Sequence, residues 1–268
     1  MLVYERISVV VSLILIGLAL YFVLAFPAET ATFTIFGSPL TLTSPQQWLV
    51  AVLLGGLAMA GADAVMRIHP GLPNRRIGVM ATFWMLPGLL VVLATQTLGL
   101  APTPVAWAIG LTGVGLLLWL TLIAEFWQGA AMGNKEHRWA YIWQQLMGYT
   151  MALLFFIIIY RTRSRSAISA TSIMLVSGMI ALALLRQWRS IAKTWLFAAI
   201  VGLSLGQVTW ALNYWRISAL TAGLLLLLIF YVMVGLAQQQ LLGKLSRRAL
   251  WEFGSVALAA LLVIFRFT

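Results

Sequence analysis

Nine apolar stretches account for most of the 268 residues, and the charges between them fall mainly on alternate connections. A helix needs about 20 apolar residues to cross roughly 30 Å of hydrocarbon at ~1.5 Å per residue. The stretches are Ile7–Phe26, Trp48–Val65, Ile77–Gln96, Val105–Ala124, Ala140–Tyr160, Ser166–Leu185, Thr194–Leu212, Ile217–Ala237 and Leu250–Phe265. They predict an all-α, polytopic transmembrane helical bundle of about nine spans. The last stretch is the shortest and carries Glu252 near its start, so eight spans plus an interfacial helix is the alternative.

Nothing is left over for a water-soluble domain. Charged residues are 9% of the chain, against about 25% in soluble domains. The longest stretch outside the spans, Pro27 to Gln47, is too short to bury a core. Residues 1–268 are therefore expected to form a single integral membrane domain. The first apolar run, at 20 residues, exceeds the ~7–15 of a signal-peptide core, so it is expected to stay as a helix.

The net charge of +11 raises the possibility of nucleic-acid binding. The basic residues are scattered at helix ends, however, where anionic head groups and the positive-inside bias account for them. With the N-terminus cytoplasmic, twelve Lys and Arg fall inside and five outside, the five being Arg161, Arg163, Arg165, Arg216 and Arg266. That asymmetry predicts a cytoplasmic N-terminus. Zero cysteines exclude disulfides, thiolate metal sites and thiol nucleophiles.

Between the first two spans the pattern changes. Thr32-Phe33-Thr34-Ile35-Phe36 alternates polar and apolar, Gly37-Ser38-Pro39 punctuates, and Leu40-Thr41-Leu42-Thr43 alternates again. This predicts a small outer-side β-hairpin near residues 32–43. An isolated hairpin is marginal in water, so it should lie on its own bundle or dock on a partner.

Few residues carry chemistry. Arg161, Arg163 and Arg165, interleaved with Thr162, Ser164 and Ser166, oppose the positive-inside bias. Guanidinium groups donate paired hydrogen bonds to phosphate or carboxylate, which makes the run a candidate anion or lipid site. Arginines that merely snorkel to outer-leaflet phosphates give the same pattern. In the seventh span Gly202 and Gly206 allow close helix approach. Gln207, Trp210 and Tyr214 share a face, and Gln207 and Asn213 need partners at membrane depth. In the fifth span Tyr141, Gln145 and Tyr149 are spaced i, i+4, i+8, and this face is expected to turn towards the bundle interior. Gly56, Ala60 and Ala64 form a small-residue stripe expected to pack helices in the second span. Pro87 should kink the third.

The acids are local. Asp63 precedes Arg67 by four residues and Glu252 follows Arg248 by four, so ion pairs are expected. Glu125 and Glu136 fall at or beyond the end of the fourth span. His69 and His137 lie in loops, and none of these spacings matches a metal motif. No catalytic residues, metal site or cofactor are expected.

The segments Arg165-Ser166-Ala167-Ile168-Ser169-Ala170-Thr171, Thr194-Trp195-Leu196 and Gly206-Gln207-Val208-Thr209-Trp210-Ala211-Leu212-Asn213-Tyr214-Trp215 carry a likeness, continued by Phe230-Tyr231-Val232 and Gly243-Lys244-Leu245-Ser246-Arg247-Arg248. Over residues 160–255 the chain resembles an uncharacterised multi-pass membrane family of filamentous anoxygenic phototrophs and related bacteria. The resemblance implies a bacterial inner-membrane setting and no particular reaction. The expected function is a non-enzymatic accessory, scaffold or assembly subunit, with membrane lipids and other membrane subunits as partners and no nucleic acid. A carrier or flippase for an anionic lipid-like substrate is the alternative, and an enzyme using His69 and His137 at the cytoplasmic face is the weaker one.

Overall fold

A computed structural model describes residues 2–23, 30–35, 38–43, 45–69, 77–129, 135–162, 166–186, 191–215 and 217–266. Among these the helices are α1 (Leu2–Val23), α2 (Pro45–Met66), α3 (Ile77–Leu98), α4 (Pro104–Gly129), α5 (Lys135–Arg161), α6 (Ser166–Leu184), α7 (Ile191–Leu212), α8 (Ala219–Leu241) and α9 (Arg247–Arg266). The strands β1 (Thr30–Ile35) and β2 (Ser38–Thr43) pair antiparallel, with Thr30 opposite Thr43 and Ile35 opposite Ser38.

Eight helices, α1 to α8, are long and apolar enough to cross a membrane. This fits a multi-pass membrane protein. The ninth differs from the expected span: the apolar part of α9 is Leu250–Ile264, about 22 Å of helix and short of a full hydrocarbon core. Arg248, Glu252 and Ser255 also give α9 a polar stripe opposite its packed face.

The contacts group into two compact units, one of Met1–Arg75 with Pro87–Ala140, the other of Arg76–Leu86 with Tyr141–Thr268. In the first, α1 packs on α2 and α4, and α2 on α4. Ile7, Ile14 and Leu18 face the core while Val9, Leu13, Ile16 and Leu20 are exposed on the opposite side of α1. A helix apolar all round in this way suits a lipid solvent. Gly55 and Gly88 meet backbone to backbone, since a Cβ on either would stand 3.3 Å from the other's carbonyl oxygen. Phe22 stacks on Trp107 at 4.5 Å, joining the end of α1 to the start of α4.

In the second unit α6 and α7 form the closest pair, α7 packs on α8, and α8 on α9. Gly202 makes the first contact possible: a Cβ there would lie 2.7 Å from the Met174 carbonyl oxygen and 3.3 Å from Gly178 Cα. An aromatic chain crosses the unit, from Phe156 to Phe230 (6.0 Å), Phe230 to Tyr149 (5.9 Å), Tyr149 to Tyr231 (5.7 Å) and Tyr231 to Phe253 of α9 (5.8 Å). Gly243, at φ 66°, closes α8 in the left-handed conformation glycine favours, with the Lys244 N–H donating to Gln239 O.

Candidate functional site: a groove over the α6–α7 seam

The last carbonyls of a helix have no intrahelical donor, and hydrocarbon supplies none. The end of α6 solves this with side chains from three other helices. Gln144 of α5 donates to Ala183 O at 3.3 Å, Gln238 of α8 to Leu184 O at 3.2 Å, and Thr194 of α7 to Leu185 O at 3.3 Å. Arg186, next along, donates to Thr82 O of α3 at 2.7 Å, with its guanidinium carbon 3.6 Å from the Phe83 ring centre. Pro87 lies in the same helix and removes the N–H that Phe83 O would have accepted. Arg186 thus holds α3 beside a turn that proline has weakened. At the other end of the unit, Tyr160 Oη donates to Leu212 O at 2.8 Å, and Asn213 Nδ2 to Ser169 Oγ at 2.8 Å.

Between these two ends, the α6–α7 seam is open on one side. Ala170, Thr171, Met174, Leu203, Gly206, Gln207, Trp210 and Ala211 line one lobe of about 450 Å³. Met85, Met174, Leu175, Gly178, Met179, Leu182, Trp195, Ala198, Ala199, Gly202 and Leu203 line a second of about 390 Å³. Met174 and Leu203 line both, so the two lobes adjoin at these residues. Glycine and alanine make the floor, methionines the walls, and Trp210 and Trp195 mark the two ends. Trp195 is held by its Nε1–H, which donates to Gly78 O at 3.1 Å.

The singled-out residues fall around this groove in part. Gln207 and Trp210 line it, with Gly206 in its floor, and Tyr214 is 78% exposed. Gly202 and Gly206 sit against α6. Arg161 is exposed at the end of α5, whereas Arg163 and Arg165 lie outside the described residues. In α5 the expected interior face is displaced. Tyr141 is exposed and Gln145 and Tyr149 are only half-buried, while Ala140, Gln144, Met147, Gly148 and Met151 are buried. The residue that bonds another helix is Gln144, one position earlier. In α2 the stripe Gly56, Ala60 and Ala64 is exposed, with nothing within 4 Å of where a Gly56 Cβ would stand. Gly55, Ala58 and Ala62 are buried instead.

The ionisable residues follow expectation in part. Arg67 donates to Asp63 and Arg248 to Glu252 (3.0 Å), the two local pairs expected. The hydrogen bond to Asp63, and then its charge, raise the Arg67 pKa above its ordinary value. Glu125, however, lies inside α4, which runs on to Gly129, and is 2% exposed. His69 is buried too, edge-on to Phe126 at 4.5 Å, in space left by Gly129. The side chains of Glu136 and His137 lie outside the described residues. Among those described, no three His, Cys, Asp or Glu are grouped to hold a metal ion.

A family model described as a protein of unknown function, DUF5656, matches residues 26–267. The chain belongs to that family. The DUF5656 match takes in all of α2 to α9, well beyond the residues 160–255 that carried the resemblance. No curated protein and no solved structure matches the chain. Sequence reasoning missed Gln144, Thr194, Arg186 and Gln238 in this DUF5656 chain. The sequence signal of Thr194, Arg186 and Gln238 is position, since each stands within a turn of a helix end, whereas Gln144 lies two and a half turns into α5 and carries no such signal.

Proposed function

We propose that this protein is a non-enzymatic subunit of a bacterial inner-membrane assembly, an accessory or scaffold chain packed against another membrane protein. The observation that carries this reading is where five buried or half-buried polar side chains go. Gln144, Thr194, Gln238, Arg186 and Tyr160 all bond carbonyls on neighbouring helices. Polar groups spent on joining helices build a rigid framework rather than a reactive centre. The exposed stripe Gly56, Ala60 and Ala64 supplies a surface that another helix can approach closely.

In this reading the N-terminus is cytoplasmic, as the distribution of Lys and Arg favours. The strand pair between α1 and α2 then faces outwards. α9 returns along α8, with Phe253 on Gly235 and its half-buried face at Phe253, Ala257, Ala260 and Ile264. It makes a short ninth crossing, and the whole chain acts as one membrane domain.

The test is gentle extraction from the native membrane followed by native mass spectrometry. A larger assembly containing this chain at fixed stoichiometry is expected. Ala60→Leu should release the partner while the released chain keeps its helicity. Recovery of the wild-type chain alone, from a membrane where it is expressed at native level, would overturn the subunit reading.

A further inference from the structure

The geometry points to the amino-terminal end of α9 as a docking site for the head groups of anionic phospholipids. The inference stands apart from the subunit reading, because it needs no partner chain.

Packing sets the level of this end. A Cβ on Gly235 would lie 2.3 Å from the Phe253 ring, so α9 returns along α8 with these two residues side by side. Gly235 stands six positions before Leu241, the last residue of α8, and Phe253 six after Arg247, the first of α9. Each is about 9 Å of helix from the turn, so α9 begins level with the end of α8. That helix is long and apolar enough to cross a membrane, and its end marks a membrane surface. Gly243, at φ 66°, and the bond from Lys244 N–H to Gln239 O fold the connection back onto α8. Lys244, Arg247 and Arg248 therefore stand near one level, and all three are exposed.

Charge chooses the partner. Arg248 donates to Glu252 at 3.0 Å, and that pair is neutral as a whole. Among the described residues no ion pair and no side-chain hydrogen bond engages Lys244 or Arg247. Two cations are left at the depth where lipid phosphates lie, and ammonium and guanidinium groups both bind phosphate. A zwitterionic lipid brings its own cation with each phosphate, so a net negative lipid is the one that both charges attract.

The face of α9 that continues from Arg247 fits the rest of such a lipid. Trp251 follows Arg247 by four residues, on the same face, and is 80% exposed. Leu258 and Leu262 continue that face and are exposed as well. From Arg247 to Leu258 is roughly 16 Å of helix, against ~15 Å for the hydrocarbon depth of one leaflet. Cation, indole and leucine thus follow the order of phosphate, interface and acyl chain, and the interface is the level that indoles favour.

The experiment places the full chain in vesicles of equal phosphatidylglycerol and phosphatidylcholine, with a trace of phosphatidylglycerol carrying a photoreactive group on its head group. Irradiation should concentrate cross-links on the peptide spanning residues 243–255. A phosphatidylcholine probe of the same design should label that peptide several-fold less. Lys244→Gln and Arg247→Gln should each lower the phosphatidylglycerol signal about fivefold, with helicity unchanged. Arg247→Lys keeps the charge and should keep most of the signal, and Lys193→Gln, an exposed cation on α7, should leave it intact. Equal labelling by the two probes, or wild-type labelling of the Lys244→Gln, Arg247→Gln double variant, would overturn the site. Millimolar inorganic phosphate should not compete; competition as strong as that of unlabelled phosphatidylglycerol would overturn the assignment to a lipid.

Discussion

Gln144 and Gln145 are chemically identical neighbours, yet only the first holds two helices together. A helix turns about 100° per residue, so one step moves a side chain from the packed face to its flank. The bond from Gln144 to Ala183 O supplements the long 3.5 Å bond that this carbonyl receives from the Arg186 N–H, where lipid can offer no donor. Gln144→Leu should therefore lower stability by about 1 kcal/mol, within the range measured for hydrogen bonds between membrane helices. Gln145→Leu should change it by a few tenths at most. Unfolding in graded denaturing detergent compares the two, and equal losses would show that the assigned face is wrong. Gln238 and Thr194 share the end of α6 with Gln144, so paired substitutions among the three should not add. Asn213 is different in kind, because its need for a partner at membrane depth was legible; that the partner is Ser169 was not.

At the scale of elements, helices with nearly the same composition differ in which face they use. On α2 the alternatives are Gly55 and Gly56: the first lies against Gly88, the second faces open space. On α7 a side chain at Gly202 would press on the Met174 carbonyl oxygen, an atom of the backbone that cannot swing aside. Gly202→Ala should accordingly destabilise by about 1–3 kcal/mol through overpacking. Gly56→Ala should be neutral or stabilising by up to ~1 kcal/mol, since alanine is the better helix former. Thermal unfolding in detergent checks both, and a Gly202→Ala protein as stable as wild type would mean that α6 and α7 do not approach as described. The extent of α4 carries a similar lesson. Glu125 looked like the end of a span because charge is costly in lipid; the helix continues to Gly129 because its neighbours bury that carboxylate away from lipid.

For the whole molecule, the distribution of Lys and Arg makes a prediction about sides. The chain has no cysteine, so single cysteines report cleanly on exposure to each face. Leu100→Cys, between α3 and α4, should react with an impermeant maleimide added outside intact cells. Ser246→Cys, between α8 and α9, should react only after the membrane is opened. Reversal of the two patterns would place the N-terminus outside; labelling of both from one face would break the alternation of spans.

Sequence alone determined that this chain forms apolar helices, roughly where each begins and ends, and that Asp63 with Arg67 and Arg248 with Glu252 pair locally. Those properties depend on residues within one turn or one span of each other, and hydrocarbon thickness sets a length that can be counted along the chain. Which face of α2 and of α5 meets another helix was decided only by the tertiary structure. In water an apolar stripe marks the buried side, but lipid tails are as apolar as leucine, so α1, α2 and α5 carry apolar residues on packed and exposed faces alike. The contacts that break this symmetry are Gly55 on Gly88, Gly202 on Met174 O and Gln144 on Ala183 O, between residues 33, 28 and 39 positions apart. The groove over α6 and α7 follows from the same cause: it lies along a seam that two helices close on one side only.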